Sequence, residues 1–327
     1  MFNNIITSDQ FNKSDVSYIC TMATHIRKIA KTKEGLLFLK SVLPHKRAML
    51  YFDQPSTRTF LSFYSACQIL GMNIAEVRDI NTSSELKGES PEDSIRTLSS
   101  YFDLIIIRSK DKDFPKRMAN LFLNIERTIP IINAGSGSAE HPTQALLDIY
   151  TLLRSFENTG GITGKNIMFV GDLKRSRTVK SLSKLLTLYY DVHQTFVAPK
   201  QLQATDEILQ FSDKISYTLS EDFESQLKKA DAIYMTRIQS EWDTNGESSK
   251  IDISKFCLNK HHLNLLKKDA VVMHPLPRRN EIGTEIDRDP RAMYWRQVRN
   301  GMWIRVALIA ILFSVDVKIL KYTYNNS

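Results

Sequence analysis

Ser56-Thr57-Arg58-Thr59 sets three hydroxyls and a guanidinium side by side at the start of an amphipathic stretch. That set suits an oxygen-rich anion. A helix amino end offers free backbone N–H groups and about half a positive charge, and the arginine fork matches two phosphate oxygens. Ordinary helix capping needs one hydroxyl and accounts for neither the three nor the arginine. Other polar groups recur behind apolar runs. Arg108 closes Ile105-Ile106-Ile107, and His141-Pro142-Thr143-Gln144 follows Ile131-Ile132-Asn133 and a loop of small residues. Gly171-Asp172, with Arg177 close behind, follows Phe169-Val170. Thr236-Arg237-Ile238-Gln239 follows Ile233-Tyr234-Met235, and His274-Pro275-Leu276-Pro277-Arg278 follows Val272-Met273. Arg108 and His141 would donate hydrogen bonds to a bound anion, with Gln144 one turn along. Arg177, Arg237 and Gln239 form a second set, suited to an anionic co-substrate such as a dicarboxylate. Taken singly, each has a plainer reading: a lone histidine is more often structural, and a lone arginine more often a surface ion-pair partner. Asn81 to Glu89, containing Ser83 and Lys87, reads as a polar loop.

The elements that must position these residues are short β-rich runs alternating with helical patterns. Candidate strands are Ala48 to Phe52, Leu104 to Ile107 and Ile129 to Asn133, then Asn166 to Val170, His193 to Val197, Ala232 to Met235 and Ala270 to Met273. Helices are expected over Thr59 to Leu70, Pro91 to Phe102 and Thr143 to Phe156. Ser90 before Pro91, Glu92 and Asp93 is a start signal. The alternation predicts an α/β fold with parallel sheets. In such sheets ligands bind beyond the carboxyl ends of the strands, which is where the polar groups fall. The loop Glu157 to Lys165 opens a second α/β unit. We therefore expect two similar domains, each a parallel sheet flanked by helices, with the active site in the cleft between them. The bounds expected are 1–142, completed by a C-terminal helix over 302–327, and 143–301.

The 327 residues suffice for two domains, and an apolar fraction of 42% with 24% charged is that of a globular protein. The formal charge of +8 is spread along the chain without a basic arm or aromatic RNA-binding motif. It reads as a solvated surface, with some steering of anionic small molecules, rather than a nucleic-acid binder. No leader-like start and no membrane-length apolar run is seen, so a cytoplasmic protein without a membrane partner is expected. Cys20, Cys67 and Cys257 have no metal or redox spacing. Neither Gly171-Asp172 nor Gly135 to Gly137 fits a dinucleotide fingerprint, and no phosphate-loop lysine or paired-histidine motif occurs. Neither cofactor nor metal is expected.

In order over nearly the whole chain, from about Tyr51 to Leu312, these motifs resemble the aspartate/ornithine carbamoyltransferase family. Ser56 to Thr59 and His141 to Gln144 are similar to its shared carbamoyl phosphate motifs. Arg177, Met235 to Gln239 and His274 to Arg278 resemble the aspartate branch; the ornithine branch usually carries Cys where this chain has Pro275. The resemblance implies that carbamoyl phosphate is held by Ser56, Thr57, Arg58, Thr59, Arg108, His141, Gln144 and the backbone carbonyl of Leu276. Arg58, Thr59, Arg108 and His141 would be catalytic. Lys87, Arg177, Arg237 and Gln239 would hold aspartate, with Ser83 and Lys87 coming from a neighbouring subunit of a homotrimer, with or without regulatory subunits. The implied product is N-carbamoyl-L-aspartate, a pyrimidine precursor. A carbamoyltransferase acting on another amine and a non-catalytic homologue are the alternatives. The chain departs from the family in Gln54 and Trp242, where glutamate and arginine are usual and are thought to bridge the domains on closure. Phe60 stands where a second arginine is common.

Overall fold

Uninterrupted apolar runs become the inner strands of two parallel sheets, because a strand covered on both faces has no solvent side to alternate with. The computed structural model describes residues 2–78, 88–123, 128–137, 139–210, 216–239 and 252–322. The chain divides into two compact units, Met1–Thr143 with Gly301–Ser327, and Gln144–Asn300. The boundaries fall inside two helices, α6 (Pro142–Ser155) and α10 (Tyr294–Leu312).

The first unit runs α1 (Lys13–Ile29), α2 (Lys33–Lys40), β1 (Arg47–Phe52), α3 (Thr57–Ile69), β2 (Asn73–Val77), α4 (Pro91–Ser99), β3 (Leu104–Ser109), α5 (Phe114–Leu123) and β4 (Ile131–Ser136). Its sheet has the order β2-β1-β3-β4, all parallel. Met49, Tyr51, Ile105, Ile107 and Ile131 pack against Met118 and Phe122 of α5 on one face. Each such fully buried side chain contributes about 1.5–3 kcal/mol. On α3, Phe60, Phe63 and Cys67 are buried, a helical spacing that seats the helix and leaves Arg58 outward. Ser90 caps α4 by accepting the Asp93 N–H at 3.1 Å, as its sequence signal predicts.

The second unit contains β5 (Asn166–Val170), α7 (Arg177–Leu186), β6 (His193–Val197), α8 (Asp206–Leu209), β7 (Ser216–Ser220), α9 (Phe223–Leu227), β8 (Ala232–Met235) and β9 (Val271–Met273). The order is β7-β6-β5-β8-β9, again parallel throughout. Met168, Val170, Ile233, Met235, Val272 and Tyr294 form its core.

The sequence reading differs from the structure at three edge strands and one terminus. β2 and β7 are missing from it, and β4 extends to Ser136 rather than stopping at Asn133. The stretch 302–327 is not a single helix: α10 ends at Leu312, Ser314 takes a left-handed φ of 54°, and α11 (Asp316–Leu320) begins beyond it. α11 is tied to α1 by the Tyr18 hydroxyl donating to Asp316 and by His25 Nε2 at 3.1 Å from the Ile319 carbonyl. Among the described residues, no helix is long and apolar enough to cross a membrane. Cys20, Cys67 and Cys257 are free and buried, and burial pushes the Cys20 and Cys67 thiols up to about 12.

Candidate active site

In the first unit the polar residues sit at the carboxyl ends of adjacent strands. The order β2-β1-β3-β4 puts the switch of chain direction between β1 and β3, the usual ligand position in an open parallel sheet. Ser56 to Thr59 follow β1, and Arg108 pairs with Phe52 across that switch. Ser56 occupies the N-cap of α3 with extended backbone, yet its side chain makes no capping hydrogen bond. Ordinary capping therefore does not use the hydroxyl. Ser56 is half-buried, Thr57 and Arg58 are exposed, and Thr59 is buried. A cavity of about 380 Å³ lies at these ends, lined by Phe52, Pro55, Ser56, Glu76 and Arg78.

Arg108 is buried on β3 and donates from Nη1 to the Ala134 carbonyl at 3.1 Å. The next residue is Gly135, at φ +116°. A Cβ there would lie 2.7 Å from Arg108 Nη1 and 3.4 Å from His141 Cδ2. Gly135 is thus the gap that lets the guanidinium and the imidazole come together at the end of β4. Asp53 holds the turn below them: it accepts from the Ser109 hydroxyl at 2.6 Å and the Lys110 N–H at 2.7 Å. Burial raises its carboxyl pKa even so, against the lowering effect of those hydrogen bonds.

In the second unit the switch falls between β5 and β8. Arg177 opens α7 behind β5, where Ser176 caps by accepting the Val179 N–H at 3.3 Å. Arg237 and Gln239 follow β8, paired with β5 through Val170 and Met235. All three are half-buried. Asp172, fully buried, pins this loop: it accepts the Gln239 N–H at 3.0 Å and lies 3.5 Å from Arg175. Gly171, at φ +113°, is required because a Cβ would meet the Thr236 carbonyl oxygen at 2.2 Å.

Behind β9, His274 Nδ1 accepts the Leu276 N–H at 2.7 Å, while its Nε2 lies 2.7 Å from Glu281 Oε1. These contacts hold Leu276 at φ 57°, a conformation costing a non-glycine residue of order 1–3 kcal/mol. Burial opposes ionisation of Glu281, but the His274 hydrogen bond and the backbone N–H groups bring its pKa below the usual carboxylate value. Gln144 is buried on the first turn of α6 and donates to Asp148 at 2.9 Å.

Ser83, Lys87 and Trp242 lie outside the described residues. The structure adds residues that the sequence reading passed over. Arg78 follows β2, lines the cavity with Ser56, and places its guanidinium 4.5 Å from the Phe60 ring. Arg305 of α10 donates to Ser62 of α3 at 2.9 Å and to Thr143 at 3.3 Å, tying the two motif-bearing helix starts together. A charge flanked by apolar residues was the available signal for Arg305, as for Asp148. For a metal, Glu224, His261 and His262 bring three possible ligand atoms within 4.8 Å of one another. The donor set does not fit, however. His262 Nδ1 accepts the Asn259 N–H at 3.0 Å, so its other nitrogen carries the proton in the neutral ring.

Each of the two parallel α/β units carries cationic and polar side chains behind the strands that flank its switch point, the arrangement of an enzyme of the α/β class. The chain belongs to the aspartate/ornithine carbamoyltransferase family: the model of its carbamoyl-P binding domain matches residues 3–154, and that of its Asp/Orn binding domain residues 163–312. It is 38% identical over 318 residues to aspartate carbamoyltransferase 1, chloroplastic, of Pisum sativum, covering 95% of this chain and 78% of the relative. The catalytic subunit of M. jannaschii aspartate transcarbamoylase superposes with a TM-score of 0.85 at 33% identity, covering 96% of this chain and 99% of that one. The Trypanosoma cruzi aspartate transcarbamoylase in complex with N-(phosphonacetyl)-L-aspartic acid gives a TM-score of 0.83 at 32% identity, covering 94% of each.

Proposed function

We propose that this chain transfers the carbamoyl group of carbamoyl phosphate to the amine of L-aspartate, giving N-carbamoyl-L-aspartate and phosphate for pyrimidine synthesis. The observation that carries this reading is the meeting of Arg108 and His141 over Gly135, with Arg108 on the strand next to the one that leads into α3. Ser56, Thr57, Arg58 and Thr59 hold the phosphoryl group. Thr59, Arg108 and His141 face the carbonyl oxygen, while Gln144 and the Leu276 carbonyl take the carbamoyl NH₂. Arg177, Arg237, Gln239 and Lys87 hold the aspartate carboxylates. The amine attacks the carbonyl carbon, and the carbonyl oxygen gains charge that the three donors stabilise. The bond to the phosphate oxygen then breaks, and the departing phosphate takes the amine proton. No side-chain nucleophile is needed, so rate comes from orientation and fixed charge.

The test is incubation of pure protein with both substrates. Equal release of phosphate and carbamoyl-aspartate, and no product with other amines, is expected. Absence of product across neutral and mildly alkaline pH would sink the reading.

The protein is further read as a cytoplasmic homotrimer whose sites take Ser83 and Lys87 from a neighbouring subunit. Mixing inactive Arg58→Ala chains with inactive Lys87→Gln chains should restore activity, since some sites then combine two intact halves. A mixture that stays inactive argues for self-contained sites.

A further inference from the structure

A carboxylate outside every motif described so far, Asp148 on α6, is fully buried in the second unit. Its Oδ1 accepts from Gln144 Nε2 at 2.9 Å and from Gln297 Nε2 at 2.6 Å, and its Oδ2 accepts from the Tyr234 hydroxyl at 2.7 Å. Burial, and then the adjoining Asp148 charge, push the Tyr234 phenol well above its usual range, so the phenol keeps and donates its proton.

The polarity of these bonds is fixed by chemistry. An ionised carboxylate only accepts, so both glutamines must turn their NH₂ toward it. For Gln297 the far side agrees, because its Oε1 accepts the His274 N–H at 2.9 Å. His274 in turn accepts the Leu276 N–H on Nδ1. For Gln144 the consequence is that Oε1, the acceptor, is the atom turned away from Asp148. One buried carboxylate therefore sets the amide of Gln144 and, through Gln297 and His274, the backbone that carries the Leu276 carbonyl.

We infer that Asp148 is a positioning residue for donor-substrate recognition: it makes Gln144 an acceptor and holds Leu276, so that both receive the N–H groups of the carbamoyl NH₂. The inference rests on the carbamoyl phosphate reading above and adds how the site tells this acyl phosphate from one lacking an amino group. A buried acceptor that loses its partner discriminates strongly against the analogue that cannot donate.

The measurement is the ratio of dissociation constants of the full-length protein for carbamoyl phosphate and acetyl phosphate, by calorimetry. Acetyl phosphate carries a methyl where carbamoyl phosphate carries NH₂. Asp148→Asn offers an amide that lets Gln144 flip. It should weaken carbamoyl phosphate about ten- to a hundredfold while moving acetyl phosphate less than about twofold. Gln297→Met breaks the same chain at its next link, should move the ratio in the same direction, and serves if Asp148→Asn does not fold. A variant that keeps the wild-type ratio, or weakens both ligands equally, overturns the inference alone. A wild-type chain that does not distinguish the two ligands overturns both the inference and the function it rests on.

Discussion

In the first unit most of the groups gathered at the strand ends are cations and hydroxyls, Ser56 to Thr59 at the start of α3, Arg78 behind β2, and Arg108 beside His141, with Asp53 and Glu76 the carboxylates among them. In the second unit the most deeply buried polar groups near the strand ends are carboxylates, Asp148 and Asp172, each at 0% exposure. The contrast separates two tasks. Holding a phosphoryl group calls for donors and positive charge aimed at the ligand, and the first unit supplies them directly. Placing amides and backbone groups at set orientations calls for fixed acceptors behind them, and buried carboxylates do that in the second unit. Gln239, whose N–H bonds Asp172, with Arg177 and Arg237, are the groups that would touch a ligand there.

The largest expected effect tests the first half of the contrast. Arg58 is exposed and on no core face, so Arg58→Ala should leave the melting temperature nearly unchanged. Turnover should fall about 10²–10³-fold, as on removal of one donor from a developing charge. Steady-state kinetics beside a thermal melt checks both. Near-normal turnover would mean that the α3 amino end holds no reacting phosphate.

The glycines give a paired test of intermediate size. An added Cβ at Gly135 meets a side chain, Arg108 Nη1 at 2.7 Å, whereas one at Gly171 meets backbone, the Thr236 oxygen at 2.2 Å. Gly135→Ala should displace the guanidinium and lower kcat about 10- to 100-fold, because misplacement of about 1 Å is enough for that. Gly171→Ala should mainly destabilise, by about 1–3 kcal/mol, since backbone must move. Equal losses of activity and stability in the two variants would erase the distinction between the units.

The same contrast explains what the sequence made legible. The buried strands β1, β3, β5, β8 and β9 declare themselves as apolar runs, and the cations behind them are chemically marked. The missed strands, β2 and β7, are sheet edges whose residues are largely exposed or half-buried. Asn73–Val77 and Ser216–Ser220 therefore lack the unbroken apolar run on which strand recognition depends. Missing β2 meant missing Arg78, whose meaning comes from its place at a strand end. Asp148 and Arg305 went unread for another reason. Each is a buried charge among apolar neighbours of its helix, and its partners, Gln297 and Tyr234 for one, Ser62 and Thr143 for the other, are remote in sequence. Periodicity assigns a helix face without saying what a polar residue on it meets.

A smaller effect is expected where a carboxylate supports a contact residue. Asp172→Asn keeps the shape but removes the charge that receives the Gln239 N–H and faces Arg175. The KM for aspartate should rise about five- to thirtyfold, equivalent to ~1–2 kcal/mol for one weakened charged hydrogen bond, with kcat little changed. An equal fall in kcat would place Asp172 in the chemistry rather than behind the binding loop.

The smallest effect concerns acid, where Asp53 and Glu281 should act with opposite sign. Burial raises the folded pKa of Asp53. Its contribution to stability is therefore complete below the unfolded value of about 3.9 and is lost as pH rises through the folded one. Burial also opposes ionisation of Glu281, but His274 and the backbone donors win and its folded pKa is lowered. Its contribution is present above about pH 4.3 and is lost as pH falls through the folded value. Denaturant midpoints between about pH 3 and 6 read this directly. The difference between wild type and Glu281→Gln should shrink toward acid, and that between wild type and Asp53→Asn should grow. If both differences moved the same way, the two carboxylates would share one electrostatic role. The division between a unit that binds charge and a unit that uses charge as scaffold would then fail at this pair.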